Sequence, residues 1–121
     1  MHARAKVNIY QDPVKPFMGP GPLRLLEKIK EYKSINKAAK SMDLSYVKAL
    51  NMLDRLEINL GRKILIRKRG GNERGGTELT PYGEIYIEHY RHFEENISNF
   101  AEREFQIFQK KLKIRSKNEN A

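Results

Sequence analysis

Hydrophobic residues between positions 23 and 60 recur every three or four residues, with polar residues between them. This spacing predicts three amphipathic helices, because side chains three and four residues apart share one face of an α-helix. We expect the first helix to begin near Pro22, the second at a Ser34 cap and the third at a Ser45 cap, ending at Gly61. The positions expected to face the core are Leu25, Leu26, Ile29, Ile35, Ala38, Ala39, Val47, Ala49, Leu50, Leu53, Leu56 and Leu60.

Strand patterns lie on both sides of this helical region. Residues 3–10 alternate between apolar and polar, which predicts a half-buried strand paired either with the hairpin predicted at residues 63–80 or with a second subunit. Residues 12–22 are dense in proline and glycine, so we expect an ordered turn or linker without regular structure. Two β-like runs, 63–67 and 77–80, bracket a basic, glycine-rich segment and predict a hairpin, called the wing below.

A fourth, longer helix is predicted from residue 82 to about 113, after a Thr80 cap and a first-turn Pro81. Its apolar residues follow alternating steps of four and three, a spacing typical of coiled coils. A three-helix core offers too little surface to cover this stripe, which favours a dimer seam; the alternative is a helix that only covers its own core. The predicted dimerisation residues are Tyr86, Tyr90, Phe93, Ile97, Phe100 and Ile107.

These elements predict a mainly α protein with a small β wing. The arrangement is that of a winged helix-turn-helix with a long C-terminal dimerisation helix. We assign residues 1–22 to an N-terminal strand and turn, 23–80 to the winged helix-turn-helix, 81–113 to the dimerisation helix and 114–121 to a polar tail that should fray.

Composition narrows the possible partners. Lys and Arg number 24 against 15 Asp and Glu, giving a net charge of +9 that favours a polyanion, either nucleic acid or an anionic membrane surface. No cysteine is present, which excludes disulfides and thiolate metal sites. The N-terminus lacks the apolar run of a signal peptide, and no apolar stretch approaches about 18 residues. We therefore expect a cytoplasmic protein with no membrane partner.

The third predicted helix carries the chemistry of a base-reading element. A helix fits the major groove of B-DNA, where lysine can donate to guanine, asparagine can pair with adenine, and hydroxyl groups can bond phosphate. The alternative is that its polar residues are ordinary solvated side chains. In the wing, the glycines would let a cationic loop approach a phosphate backbone or enter a minor groove, whereas a merely flexible tip is the alternative. The candidate DNA-binding residues are Ser34, Lys37, Ser45, Tyr46, Lys48, Asn51, Arg55, Arg67, Lys68, Arg69 and Arg74.

The sequence offers little support for an enzyme. His89 and His92 are three residues apart on the long helix, but no suitable third metal ligand accompanies them. No spacing pairs a nucleophile with an activating base, and no phosphate-binding GxxxxGK[ST] loop is present. We expect no catalytic residue, no metal and no cofactor.

Several of these segments together resemble a known family. Residues 17–21 (FMGPG), 34–40 (SINKAAK), 44–46 (LSY), the paired glycines of the wing and 79–83 (LTPYG) are similar to the DNA-binding domain of the ModE family of molybdate-responsive transcriptional regulators. The Ala-Ala pair and the final Leu-Thr are shared with LysR-type regulators. The resemblance covers nearly the whole chain.

The resemblance implies a homodimeric winged-helix protein that binds a two-fold related site on double-stranded DNA. It places Ser45, Tyr46 and Lys48 in the recognition helix and Arg67 in the wing. We expect this chain to lack the family's molybdate-binding domains, so the resemblance implies no molybdate sensing, and we identify no small-molecule effector. Residues 72–74 (NER) replace a more glycine-rich tip, which leaves the groove contact of the wing open.

Three functions are consistent with these patterns. The first is a sequence-specific transcriptional regulator without its own effector domain. The second is an architectural DNA-binding protein with little preference among sequences. The third is a protein-interaction module that acts through the long aromatic helix.

Overall fold

The computed structural model describes residues 1–68 and 76–120, which belong to two compact units. One unit is Val7–His89, and the other combines Met1–Lys6 with Tyr90–Ala121. In chain order the elements are β1 (Ile9–Tyr10), β2 (Pro16–Met18), α1 (Pro20–Tyr32), α2 (Ile35–Ser41), α3 (Tyr46–Leu60), β3 (Leu65–Arg67), β4 (Thr77–Leu79) and α4 (Pro81–Asn120). The predicted fold class, mainly helical with a small β wing, is confirmed.

The helix ends are set by local side-chain chemistry. Ser34 Oγ accepts a bond from the Lys37 N–H, and Ser45 Oγ accepts one from the Lys48 N–H, both at 3.1 Å. Each bond satisfies a donor that the first turn of a helix would leave unpaired. Gly61 ends α3 at φ 67°, a left-handed backbone that glycine adopts without steric cost. The two predicted serine caps and the glycine end are therefore confirmed.

The core of the first unit is built from one face of each helix and the inner face of the wing. Its largest fully buried side chains are Met18, Leu25, Leu26, Ile29, Leu53, Leu56 and Ile64. The prediction that Val47 faces this core is wrong, because its side chain is 64% exposed. Val47 is two residues from the buried Ala49 and therefore lies about 160° away from it around the helix axis.

The N-terminal strand is shorter than the alternating pattern predicts. Only Ile9–Tyr10 forms a strand, and it pairs antiparallel with β2, with Ile9 opposite Met18 and Tyr10 opposite Pro16. The predicted partner, the wing or a second subunit, is therefore wrong. The prediction of no regular structure in residues 12–22 is wrong as well, since this segment supplies β2 and the first residues of α1. Helix α1 begins at Pro20, close to the predicted start near Pro22.

In the second unit, residues 1–6 lie along α4. The Ala3 N–H donates to Glu102 Oε2 at 2.6 Å, and the Ala5 N–H donates to Ser98 Oγ at 3.1 Å. Ser98 Oγ donates back to the Ala5 carbonyl at 3.0 Å. These side chains occupy the backbone groups that a neighbouring strand would otherwise bind, which explains why this segment is extended but joins no sheet.

Helix α4 continues to Asn120, past the end predicted near residue 113. Residues 84–120 contain neither glycine nor proline, and their lysines and arginines have high helix propensity, so nothing in the local sequence stops the helix. Within the described ranges, no helix combines the length and the hydropathy needed to cross a lipid bilayer.

Candidate nucleic-acid interface

Helix α3 presents its first two turns to solvent. Tyr46, Val47, Lys48 and Asn51 are all exposed, and the Ser45 cap fixes where the helix begins. A tight turn joins α2 to α3: Asp43 adopts a left-handed φ of 56°, and the Leu44 N–H donates to the Ala39 carbonyl at 2.9 Å. This turn sets α3 as the second helix of a helix-turn-helix, with its N-terminal end open to a ligand.

The N-terminal end of α2 contributes two further candidates. Ser34 is half-buried and Lys37 is exposed. The Ser34 hydroxyl oxygen accepts the Lys37 N–H, and its own hydrogen can still be donated. A phosphate oxygen placed there could accept that hydrogen.

The wing is an antiparallel hairpin in which Leu65 pairs with Leu79, Ile66 with Glu78 and Arg67 with Thr77. The predicted hairpin is confirmed, and the Lys68 N–H extends it by donating to the Gly76 carbonyl at 2.7 Å. The predicted contact residues Arg69 and Arg74, like the glycines at 70, 71 and 75, lie outside the described residues.

Two of the described wing cations, Arg67 and Lys68, lie beside exposed carboxylates. Arg67 Nη2 lies 3.7 Å from Asp54 Oδ1, and Lys68 Nζ lies 3.1 Å from Glu78 Oε1. All four side chains are substantially exposed, so these pairs contribute little to stability in water. A phosphate could displace either carboxylate at a small cost.

Glu57, which is not among the candidate residues, binds the wing to α3. Its Oε2 accepts from the Ile64 N–H at 2.7 Å and from the Leu65 N–H at 3.1 Å. The side chain is only 12% exposed, and Lys63 Nζ lies 3.7 Å from its other oxygen. No local pattern marks a carboxylate that binds backbone seven and eight residues ahead, so sequence reasoning had no signal for it.

The Arg55 side chain is partly engaged in a hydrogen bond within the protein. Its Nη2 donates to the Lys15 carbonyl at 3.1 Å, and its Nε is buried without a hydrogen-bond partner in the described structure. The structure therefore places this predicted DNA-binding residue between α3 and the β1–β2 hairpin.

The residues predicted for the dimer seam divide into two groups. Phe93, Ile97, Phe100 and Ile107 are exposed, whereas Tyr90 is only 4% exposed. Tyr86 is half-buried, and burial, with a smaller contribution from Tyr82, raises the pKa of its phenol to about 12. Phe108, Leu112 and Ile114 are exposed apolar residues on the same helix. Four of the six predicted seam residues thus form an open apolar surface.

The described residues contain no group of three or more histidine, aspartate and glutamate side chains that could hold a metal ion.

Comparisons with known proteins agree with this geometry. The model of the family described as bacterial regulatory helix-turn-helix protein, lysR family, matches residues 21–84, more than half of the chain. The chain is 40% identical over 72 residues to the molybdenum transport protein ModE of Azotobacter vinelandii, an alignment that covers 60% of this chain and 27% of that protein. It is 39% identical over 74 residues to the transcriptional regulator ModE of Haemophilus influenzae, covering 61% and 29% respectively.

The chain therefore spans less than a third of the length of these two relatives. Among solved structures, the DNA-binding domain of CbnR in complex with DNA superposes with a TM-score of 0.59 at 25% identity, over 77% of this chain and 98% of that one. The matched family model spans α1 to the start of α4, the same elements that build the exposed helix and its wing. This chain belongs to the LysR family of bacterial regulatory helix-turn-helix proteins.

Proposed function

We propose that this protein is a sequence-specific DNA-binding transcriptional regulator that acts as a homodimer and has no catalytic activity. The observation that carries the proposal is the exposed N-terminal half of α3 with a cationic hairpin fastened beside it by Glu57. Family membership and the DNA complex of the CbnR domain support it.

In this proposal the first turns of α3 enter the major groove. Lys48 donates to guanine O6 and N7 or to a phosphate, and Asn51 pairs with the edge of adenine. Ser45 and Tyr46 bond phosphate through their hydroxyl groups. At the start of α2, the Ser34 hydroxyl group and the Lys37 ammonium group also bond phosphate. Arg55 adds positive charge on the flank of α3.

The wing binds the sugar-phosphate backbone next to the groove. Arg67 and Lys68, with Arg69 and Arg74, supply the charge. In the free protein Asp54 and Glu78 neutralise the first two, so binding exchanges a carboxylate for a phosphate at each. This exchange makes the contribution of each pair smaller than that of an unpaired cation.

The test measures affinity for a duplex selected from random DNA and for a random duplex, over a range of salt concentrations. We expect affinity to fall steeply with salt, because bound cations release the counterions of phosphate. Lys48→Gln and Asn51→Ala should change which bases are preferred. Arg67→Gln should weaken binding to all sequences alike.

The matched control is Lys28→Gln, which removes one positive charge from α1 at a position that is not among the proposed contacts and that pairs with Glu31. Salt-independent binding, or none, would refute the proposal. Equal affinity for selected and random duplexes would instead establish an architectural protein.

A further inference from the structure

The β1–β2 hairpin, residues 9–18, has a tip that is fixed by its own sequence. Asp12 Oδ1 accepts from the Val14 N–H at 2.8 Å and from the Lys15 N–H at 3.0 Å. These two bonds lower the pKa of the Asp12 carboxyl group, because they favour its charged form. The Lys15 side chain at this tip is exposed to solvent.

This N-terminal hairpin packs against α3. Strand β2 contacts α3, and Arg55 Nη2 donates to the carbonyl of Lys15 itself. The wing contacts the same helix through Glu57, whose carboxylate binds the start of β3. Because Arg55 and Glu57 are two residues apart, they lie about 160° apart around the axis of α3. The N-terminal hairpin and the wing therefore contact nearly opposite sides of α3, at nearly the same position along its axis.

The exposed face of α3 lies between these two flanks. At 100° per residue, the arc from Glu57 to Arg55 holds four exposed side chains: Val47, Asn51, Asp54 and Ile58. The major groove of B-DNA is about 12 Å wide and is bounded by one phosphate strand on each side of an inserted helix. If α3 lies in the groove with this face towards the bases, the wing lies beside one phosphate strand and the N-terminal hairpin lies beside the other.

We propose that the N-terminal hairpin is a second backbone-binding arm, in which Lys15 binds a phosphate of the strand opposite the one bound by the wing. The inference rests on the proposed function and adds an interface to it. Among the described residues no carboxylate pairs with the Lys15 ammonium group, in contrast to Arg67 and Lys68. Arg55 holds this arm against the helix and is a positioning residue here.

The experiment compares wild type, Lys15→Gln, Arg67→Gln and the control Lys28→Gln on one selected duplex. Lys15→Gln keeps both backbone groups of the tip and removes only the charge. Each variant is characterised by the slope of log affinity against log salt, by phosphate-ethylation interference and by its melting temperature. We expect Lys15→Gln to reduce the slope by about 0.9, the value for one lost phosphate contact, with an unchanged melting temperature.

Interference should vanish at one phosphate for Lys15→Gln and at a phosphate of the other strand for Arg67→Gln. If Lys15→Gln matches wild type and Lys28→Gln while Arg67→Gln still lowers the slope, the second arm is refuted and the proposed function stands. If the wild type shows no salt-dependent binding, both are refuted.

Discussion

Among single residues, Val47 differs most from its predicted place. The apolar periodicity of α3 assigns it to the core, yet it is exposed one turn before Asn51 on the face turned away from the core. A β-branched residue gains nothing there from helix propensity or from burial. In the major groove, however, an apolar side chain can contact the 5-methyl group of thymine.

Val47 should therefore read a thymine. Replacing the thymines of the selected site one at a time by deoxyuridine, which lacks only that methyl group, should weaken wild-type binding about fourfold at one position, since a buried methyl contributes about 0.8 kcal/mol. Val47→Ala should bind the two duplexes equally at that position. Fluorescence anisotropy measures both, and Ile85→Ala, an exposed aliphatic residue of α4, is the control. A wild-type protein indifferent to every such replacement would exclude this role.

Among the elements, those defined by local contacts were predictable and those defined by distant contacts were not. Ser34, Ser45 and Gly61 act on backbone within four residues, so the pattern located the ends of α2 and α3. Residues 3–10 showed the alternation of an extended segment, but their partners are β2 and, more than 90 residues away, Ser98 and Glu102. For the same reason, the contact between Glu57 and the backbone of residues 64 and 65 could not be predicted from the local sequence.

The junction of the wing with α4 depends on Gly83. A Cβ atom there would lie 2.6 Å from the Ile64 carbonyl oxygen, which already accepts the Thr80 N–H at 2.8 Å. Alanine is the better helix former by about 1 kcal/mol, but overpacking against fixed backbone costs about 1–3 kcal/mol. Gly83→Ala should thus lower the free energy of unfolding in urea, whereas Glu88→Ala, at an exposed position of α4, should change it by less than about 0.5 kcal/mol. A Gly83→Ala variant more stable than wild type would contradict the close packing of Gly83 against the Ile64 carbonyl group.

At the scale of the whole molecule, the apolar surface of α4 bears on assembly. Phe93, Ile97, Phe100 and Ile107 follow the predicted steps and remain exposed in the single chain. A contiguous apolar surface of this kind is typical of a protein–protein contact, and a second copy of the same helix matches its spacing. The homodimer remains a prediction.

Phe100→Glu should weaken the dimer. Phe100 is 56% exposed in the single chain, so the change should leave the monomer folded. Burying one phenyl group contributes about 2 kcal/mol, which corresponds to an increase of about thirtyfold in the dimer dissociation constant. Sedimentation equilibrium measures this constant, and Asn99→Glu, about 100° away around the helix, is the control. Equal dissociation constants for the two variants would rule out this seam.

The ion pair between Arg67 and Asp54 bears on how quickly the protein would find its target in a genome. In the proposed complex with an arbitrary duplex, no base contact offsets the loss of this pair, so we expect Asp54 to compete with phosphate for the guanidinium and to shorten each encounter. At the correct site, we expect the base contacts of α3 to favour phosphate in that competition. The carboxylate would thus lower the affinity for arbitrary DNA, raise the rate of dissociation from it and so speed the search for the correct site.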